Sequence, residues 1–472
     1  MKCNSRIKIT SSLFFFSLII IFFNIIGYLF IESILTNKSV TYDNVSTATI
    51  SALGIILIEL IAFFIYCKKK VTNYLIFIIS FIIFHFGLLI VYSIGWDYNF
   101  FYLQQYGAEV VVKTIQLGFI GTGALFIAGI FYNQIQPFKF KAINQLNENR
   151  VYSVAKMGWI LTAIVAFVLL TGKTIAFIRG DYQGARDFDS SVSSLIGLFE
   201  YLYIPFSVLF LIYSNNKREN KICNILIIAW GMITALCGDR TSGLAALIIV
   251  FLIHVRFKKV NRKKQFIESF LLLLIILFLV PFIKYFREGN SFSFDGLVTV
   301  LSEFLGELGS SFFPIVLILR ICPSSHDFLF GSSYFYSTIA AFIPESIDFT
   351  GLITQWNSKA IEPLNWISAD YDYSFGTGYS LIAEAYANFA GFGWIFLVFI
   401  GFILIKLLKE SNDNKFSKYT STILMFEFFT LPRRNFYYVI NHTFYCIVCI
   451  SFILLILCQS KTEKKIIYEN RI

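Results

Sequence analysis

The sequence predicts an all-α, polytopic integral membrane protein of about twelve transmembrane helices, and three observations support that fold class. Of the 472 residues, 57% are hydrophobic and only 14% are charged, a balance too apolar for a soluble domain of this length. The apolar residues form runs close to the roughly 20 residues that cross a bilayer as a helix. Short clusters of Lys and Arg separate these runs.

The candidate spans follow one another along the chain with no internal repeat and no soluble segment of domain size. They lie near residues 11–31, 46–67, 72–94, 112–132, 157–177, 195–213, 222–238, 243–256, 266–283, 380–405, 419–432 and 438–458. We therefore expect residues 1–472 to form a single transmembrane domain. A second hairpin within the longest connecting segment would raise the count from about twelve to about fourteen.

The basic residues predict an orientation with both termini in the cytoplasm. The first span follows Lys2, Arg6 and Lys8, and no small-residue cleavage site follows it, so we expect a retained signal anchor. In this orientation the inside segments hold 27 of the 39 Lys and Arg residues, in agreement with the positive-inside rule. The net charge of +10 then reflects topology, and nucleic acid is not an expected partner.

Two segments on the outside are expected to carry additional structure. Residues 178–194 form a short loop, and residues 284–379 form a large loop between the ninth and tenth spans. The stretch 297–321 within the large loop is apolar but is interrupted by two glutamates, a glycine and a proline. We expect a re-entrant or interfacial helix there, shielded by protein or lining a wet cavity.

Arginines recur at the outer ends of the spans, where the charge bias of membrane proteins disfavours them. The candidates are Arg179, Arg186, Arg240, Arg287, Arg433 and Arg434. The planar guanidinium binds phosphate through two hydrogen bonds and stays charged near a membrane, so several arginines on one face predict a site for a lipid pyrophosphate. The plain alternative is that each arginine anchors its own helix at the interface.

Two residues are candidates for acid–base chemistry. Glu384 lies four residues before Asn388 on one face of the tenth span, where it could be a general base or the counter-ion of an arginine. His442 follows the sequence LPRRN on the last span and can exchange a proton near neutral pH. Tyr379, Asn388 and Asn435 are the expected supporting polar residues.

Other polar residues within the spans are weaker candidates, because each by itself is more often a packing or hydrogen-bonding residue than a catalyst. They are Glu59, Glu200, Glu427 and His85, together with the CxxC pair Cys446 and Cys449. Two DxD patterns, at 187–189 and 370–372, are no more than chance predicts, and no metal site is expected. No Walker A, GxGxxG or GxSxG motif stands in a suitable context, so no cofactor is expected either.

Three motifs, together with this layout, resemble the Wzy-type O-antigen polymerases, which join the oligosaccharide repeat units of bacterial surface polysaccharides. The motifs are GDRTSGLAALIIVFL at 238–252, FREG at 286–289 and GYSLIAEAYANFAGFGWIFLVFIGFIL at 378–404. The resemblance implies an inner-membrane glycosyltransferase that moves the growing glycan from undecaprenyl pyrophosphate onto a new lipid-linked repeat unit at the periplasmic face. It also implies functional arginines in the outside loops, which Arg179, Arg186 and Arg287 match by position.

The resemblance further implies a reaction without metal or ATP, and a flippase and a chain-length regulator as protein partners. Three other functions of a membrane protein remain open from the sequence. An O-antigen ligase would share the arginines and the long outside loop. A lipid-linked oligosaccharide flippase or other transporter would show two similar halves with charges spread through the bundle, and a structural scaffold would need no arginine cluster.

Overall fold

The computed structural model describes residues 11–458, apart from 38, 97, 99, 258–270, 272–276, 279–280, 283–295, 344–347, 349, 372–377 and 411–413. All regular structure in these residues is helical, which confirms the all-α fold class. Ten stretches are long and apolar enough to cross a membrane, which confirms a multi-pass membrane protein. Most buried apolar side chains of the described residues, from Leu13 to Cys458, form one core, and a smaller cluster surrounds Phe84.

The helices are numbered here in chain order. They are α1 (Ser11–Leu35), α2 (Tyr42–Tyr66), α3 (Asn73–Ser93), α4 (Phe101–Gln104), α5 (Ala108–Gly129), α6 (Lys141–Asn144), α7 (Glu148–Ser191), α8 (Ser194–Tyr201), α9 (Tyr203–Tyr213), α10 (Lys217–Leu236), α11 (Arg240–Phe257), α12 (Leu297–Leu308), α13 (Phe313–Ile321), α14 (Ser332–Ala340), α15 (Leu352–Ala360), α16 (Glu362–Tyr371), α17 (Leu381–Phe389), α18 (Gly393–Leu408), α19 (Lys415–Phe428), α20 (Phe436–Thr443) and α21 (Ile450–Cys458). A π-helical turn, Phe444–Cys449, joins α20 to α21.

Several spans differ from the sequence prediction. The eighth predicted span corresponds to a shorter apolar helix, Ser242–His254, and most of the predicted span 266–283 lies outside the described residues. Leu297–Ile321, predicted as a re-entrant or interfacial helix, is long and apolar enough to cross a membrane. Its interruptions are accommodated because Gly309–Phe312 forms a tighter helical turn between α12 and α13.

Several helix ends lie next to the basic connecting segments, and these ends contact one another at one end of the bundle. The side-chain amide of Asn73 donates to the carbonyl of Leu408 at 3.2 Å. The guanidinium of Arg150 donates to the carbonyl of Cys458 at 3.4 Å. We call the end marked by these four residues the basic end.

The opposite end of the bundle collects the other helix ends. The Tyr42 hydroxyl, at the start of α2, donates to the carbonyl of Gln104 at 2.5 Å. The guanidinium of Arg320, near the end of α13, lies 5.6 Å from the centre of the Tyr106 ring. We call this the opposite end.

Helix α7 folds back on itself near Gly180. The ammonium of Lys173 forms an ion pair with Asp189, although a straight helix would separate the two positions by about 24 Å. A Cβ atom on Gly184 would overlap the carbonyl oxygen of Ala176, so the two arms touch. The sequence prediction of a short loop at 178–194 is therefore replaced by a helical hairpin whose tip lies at the opposite end.

The chain also reverses between α17 and α18. Gly393 lies against the carbonyl of Ala385, with only 2.5 Å between that oxygen and an ideal Cβ on the glycine, whereas a continuous helix would separate them by about 12 Å. Ala390 accommodates the reversal with a φ of +51°. The segment predicted as one span, 380–405, is thus a helical hairpin with a nine-residue first arm.

Two glycines fix the contact between α3 and the turn after α12. A Cβ on Gly309 would overlap the backbone nitrogen of Leu88, and a Cβ on Gly87 would overlap the carbonyl oxygen of Leu305. Small residues allow such close backbone approach between membrane helices. The contact positions Leu297–Ile321 across the middle of α3.

Replacing Gly309 with alanine should destabilise the protein because backbone on both sides must move. We expect a loss of about 1–3 kcal/mol, seen as a lower thermal unfolding midpoint in detergent. Gly54→Ala is the matched control, since a Cβ there meets nothing within 4 Å and alanine favours the helix. Equal midpoints for the Gly309→Ala and Gly54→Ala proteins would contradict the close contact.

Candidate active site

Two breaks in the helical structure meet inside the bundle. The backbone N–H of Tyr379, just before α17, donates to the carbonyl of Arg433 at 2.9 Å. The next residue, Ser380, places its hydroxyl 2.8 Å from Nε2 of His85, about 12 Å along α3 from the opposite end. Irregular backbone at this depth must be enclosed by protein or line a wet cavity. Tyr379, Ser380 and His85 are buried, so protein encloses the two breaks. We call this polar region within the bundle the recess.

Glu384 connects the hairpin to the last membrane span. Its Oε2 accepts the backbone N–H of Phe436, the first residue of α20, at 2.7 Å. Its Oε1 accepts the hydroxyl of Ser333, from α14, at 3.3 Å. The residue is fully buried, so both carboxylate oxygens serve protein donors. Glu384 thus satisfies an amide that a helix N-terminus otherwise leaves without an intrahelical partner.

Asn388 and Asn435 reinforce the same junction. The amide of Asn388 donates to the Ser333 hydroxyl and to the carbonyl of Glu384, both at 2.8 Å. Its carbonyl oxygen accepts the N–H of Gly331 at 3.1 Å. Glu384 and Asn388 therefore share one helical face, as their spacing predicted. Asn435 caps α20, because its side-chain oxygen accepts the N–H of Tyr438 at 3.3 Å.

Arg433 and Arg434 lie where the two breaks meet, and their side chains differ in exposure and in the aromatic ring that each one contacts. Arg433 is half-buried, with its guanidinium 6.0 Å from the centre of the Phe84 ring. Gly378 makes room for it, since a Cβ there would lie 3.2 Å from Nε of Arg433, and the φ of +71° suits glycine. Arg434 is exposed, and its guanidinium lies 5.2 Å from the centre of the Tyr438 ring.

His442 lies in a cluster of polar side chains from three helices. Its Nδ1 is 2.7 Å from Oε2 of Glu427 and 2.6 Å from the hydroxyl of Tyr201. Its ring centre is 3.5 Å from that of Tyr438. The Tyr438 hydroxyl also donates to Oε2 of Glu427 at 3.2 Å, and the Tyr201 hydroxyl lies 2.9 Å from Sγ of Cys446. The ring of Tyr438 therefore lies close to both the imidazole of His442 and the guanidinium of Arg434.

Two further charged residues, Lys173 of α7 and Asp239 after α10, interact with Arg434 or with each other. Asp239 follows α10, and its burial raises the pKa of its carboxyl group. Hydrogen bonds from Ser242 and the positive charges of Arg434 and Lys173 outweigh burial, so the pKa is below its usual value. The Asp239 carboxylate thus interacts with cations from two other segments, Lys173 of α7 and Arg434 just before α20.

For the other four predicted arginines, no contact with the cluster around His442 is described. Arg179 and Arg186 are exposed on the hairpin tip of α7, and neither forms an ion pair with another described residue. Arg240 is the first residue of α11, beside Asp239, and only its backbone is described. Arg287 lies outside the described residues.

Sequence reasoning missed most of the cluster around His442. Tyr438 precedes His442 by four residues, and that helical spacing could have found it. Glu427 was considered only as a packing residue, and nothing in the sequence links it to His442. Tyr201 is 241 residues away from His442, so only the packing of α8 against α20 brings the two together.

Among the residues that the structure describes, no group of three or more His, Cys, Asp or Glu side chains is arranged to hold a metal ion. In the first DxD pattern Asp187 accepts a hydrogen bond from Gln183, and Asp189 pairs with Lys173. In the second, Asp370 lies 3.6 Å from His326, and position 372 is outside the described residues.

Membrane-spanning helices around a recess that carries arginine, histidine and carboxylate define a multi-pass membrane protein with a polar site within its bundle. The family model described as O-antigen polysaccharide polymerase Wzy matches residues 12–465, and the chain belongs to this family. It is therefore a surface-polysaccharide polymerase, as the three sequence motifs suggested. Family membership does not favour the ligase, flippase or scaffold alternatives.

A curated relative supports the assignment over most of the chain. Protein CapE of Staphylococcus aureus is 23% identical over 374 residues, which cover 75% of this chain and 76% of the relative. No solved structure matches this chain.

Proposed function

We propose that this polymerase transfers a growing glycan from undecaprenyl pyrophosphate to a lipid-linked repeat unit at the periplasmic face of the bacterial inner membrane. In this orientation both termini are cytoplasmic, and the opposite end of the bundle faces the periplasm. A flippase would supply the lipid-linked unit, and a chain-length regulator would limit its extension. The observation that carries this proposal is that Arg434 and His442 both lie against the ring of Tyr438, with Arg433 adjacent in the chain.

The reaction breaks one bond and forms another at the anomeric carbon of the donor glycan. A hydroxyl of the acceptor sugar forms a glycosidic bond to that carbon as the bond to the pyrophosphate breaks. Negative charge grows on the leaving oxygens, and preplaced guanidinium groups stabilise it without reorganising. We assign this role first to Arg433 and Arg434. Arg179, Arg186, Arg240 and Arg287 would attract or bind the lipid pyrophosphate at the periplasmic face.

The acceptor hydroxyl must lose its proton, and two bases were candidates. We assign the proton to His442, whose side chain is 14% exposed and lies against the same tyrosine ring as Arg434. Glu384 is fully buried, and its two oxygens already accept hydrogen bonds from Phe436 and Ser333. Glu384 is better suited to fix the start of α20, and with it the position of His442.

The donor already carries an activated leaving group, so the proposal requires neither ATP nor a metal ion. Purified protein in liposomes, given only undecaprenyl-pyrophosphate-linked repeat units, should produce a ladder of longer glycans on a gel. The same ladder should form with EDTA present, since guanidinium groups neutralise the pyrophosphate. Protein-free liposomes are the control. Elongation that stops with EDTA and returns with a divalent cation would contradict the metal-independent mechanism.

A further inference from the structure

We propose that Glu427 is a positioning residue for glycan transfer, which keeps a proton on Nδ1 of His442 and leaves Nε2 to receive the proton of the acceptor hydroxyl. This inference rests on the proposed function, because it takes His442 as the base. The Glu427 carboxylate has no other assigned role in glycan transfer.

Glu427 is buried, with a side chain only 3% exposed, within an apolar bundle. A carboxylate at such a position is costly unless polar partners surround it. Its Oε2 faces Nδ1 of His442 at 2.7 Å and accepts the Tyr438 hydroxyl at 3.2 Å. Its Oε1 faces Sγ of Cys446 at 3.7 Å. Each of these partners can donate a hydrogen, as an ionised carboxylate requires.

The contact with Glu427 determines which nitrogen of His442 can act as a base. A neutral imidazole carries one proton, and a carboxylate at Nδ1 favours the tautomer with the proton on that atom. The Tyr201 hydroxyl lies on the same side of the ring, 2.6 Å from Nδ1. The protein therefore encloses Nδ1 with two oxygen atoms and leaves Nε2 with the lone pair. The carboxylate also stabilises the imidazolium that forms when Nε2 takes a proton.

The chain connects this contact directly to the arginines. Glu427 lies near the end of α19, and the turn Leu431–Arg433 follows it before α20 begins. The contact between Glu427 and His442 thus closes a short segment that contains Arg433 and Arg434 at its bend. A single structural unit sets the spacing between the groups that face the pyrophosphate and the group that takes the proton.

Glu427→Gln is the central test, since glutamine keeps the size and loses the charge. We expect kcat to fall about 10- to 100-fold in the liposome assay, the effect typical of a residue that orients another functional group. KM for the lipid-linked repeat unit should stay within about twofold, because Glu427 is not proposed to touch substrate. Glu427→Asp keeps the carboxylate and should recover part of kcat. Equal losses in the Gln and Asp proteins would overturn the proposal.

A double-mutant comparison tests whether Glu427 acts through His442. In a His442→Gln background, Glu427→Gln should lower kcat no further, because residues that act as a unit are not additive. A further fall by the full single-variant factor would overturn the proposal. Glu59→Gln is the matched control, since Glu59 is another buried carboxylate and bonds to Asn24 on α1. Its kcat should equal that of the unmodified protein.

The outcomes separate this inference from the proposed function. Full activity in the His442→Gln protein would refute the proposed base and, with it, the role of Glu427. Loss of activity in the His442→Gln protein, with full activity in the Glu427→Gln protein, would refute only the role of Glu427. The thermal unfolding midpoints of the reconstituted variants should match within a few degrees. If the Glu427→Gln protein fails to fold while the Glu427→Asp protein folds and is fully active, the need for a negative charge at this position is supported.

Discussion

Replacing His442 with glutamine should lower the rate of glycan elongation by about 10²- to 10⁴-fold, the usual contribution of a general base. Glutamine keeps a polar side chain near Glu427 and Tyr201 but cannot take up a proton from the acceptor hydroxyl. The measurement is the initial rate at saturating lipid-linked repeat unit in liposomes. KM should change little, because the lost interaction belongs to the transition state.

Glu384→Gln gives the comparison that decides between the two candidate bases. Glutamine retains an oxygen that can accept the N–H of Phe436, so the start of α20 should stay in place and most of the rate should remain. A loss at Glu384 larger than the loss at His442 would reverse the assignment and make Glu384 the base. Thermal midpoints of both proteins separate a loss of fold from a loss of chemistry.

Replacing Arg434 with alanine should lower kcat/KM by about 10²- to 10³-fold, as removing one preplaced donor to a developing anion does in other enzymes. Arg434 is exposed beside Tyr438, whose ring also lies against His442, so its charge is close to the proposed base. Arg434→Lys should recover only part of the loss, since an ammonium cannot make the paired hydrogen bonds of a guanidinium. The assay is again elongation in liposomes.

Arg320 provides a matched control for Arg434. It is also an exposed arginine near a tyrosine ring, at 5.6 Å from the centre of Tyr106, but it lies on α13 away from the cluster around His442. Arg320→Ala should therefore leave the rate close to that of the unmodified protein. Equal losses at Arg320 and Arg434 would indicate a general effect of surface charge instead of a specific anion site.

Helix α17 and the reversal after it show what a local sequence pattern can predict and what it cannot. The spacing of Glu384 and Asn388 correctly placed both on one helical face, and both contact Ser333. The same pattern failed at Ala390, where the chain reverses although the apolar run continues. Composition cannot distinguish one long span from a tight hairpin, because both bury the same residues in lipid or protein. The reversal depends on the close contact of Gly393 with Ala385.

The candidate site also contains residues that the sequence could predict and contacts that it could not. Arg433, Arg434 and His442 could be selected from the sequence because charged and titratable residues stand out against apolar spans. The pairing of His442 with Glu427, and the approach of Tyr201, could not be predicted. Each contact depends on which faces of α8, α19 and α20 pack together, and apolar helices offer several faces of similar hydropathy.

The sequence by itself determined that this protein lies in a membrane, and it supplied the family motifs and the arginine candidates. Transfer of apolar residues from water is a sum over the chain, so composition and run length were sufficient for that conclusion. Only the tertiary structure decided that two helix breaks meet in a recess and that a carboxylate holds His442. Those features arise from close packing between helices far apart in the chain, where the positions of a few glycines and buried polar groups select one arrangement.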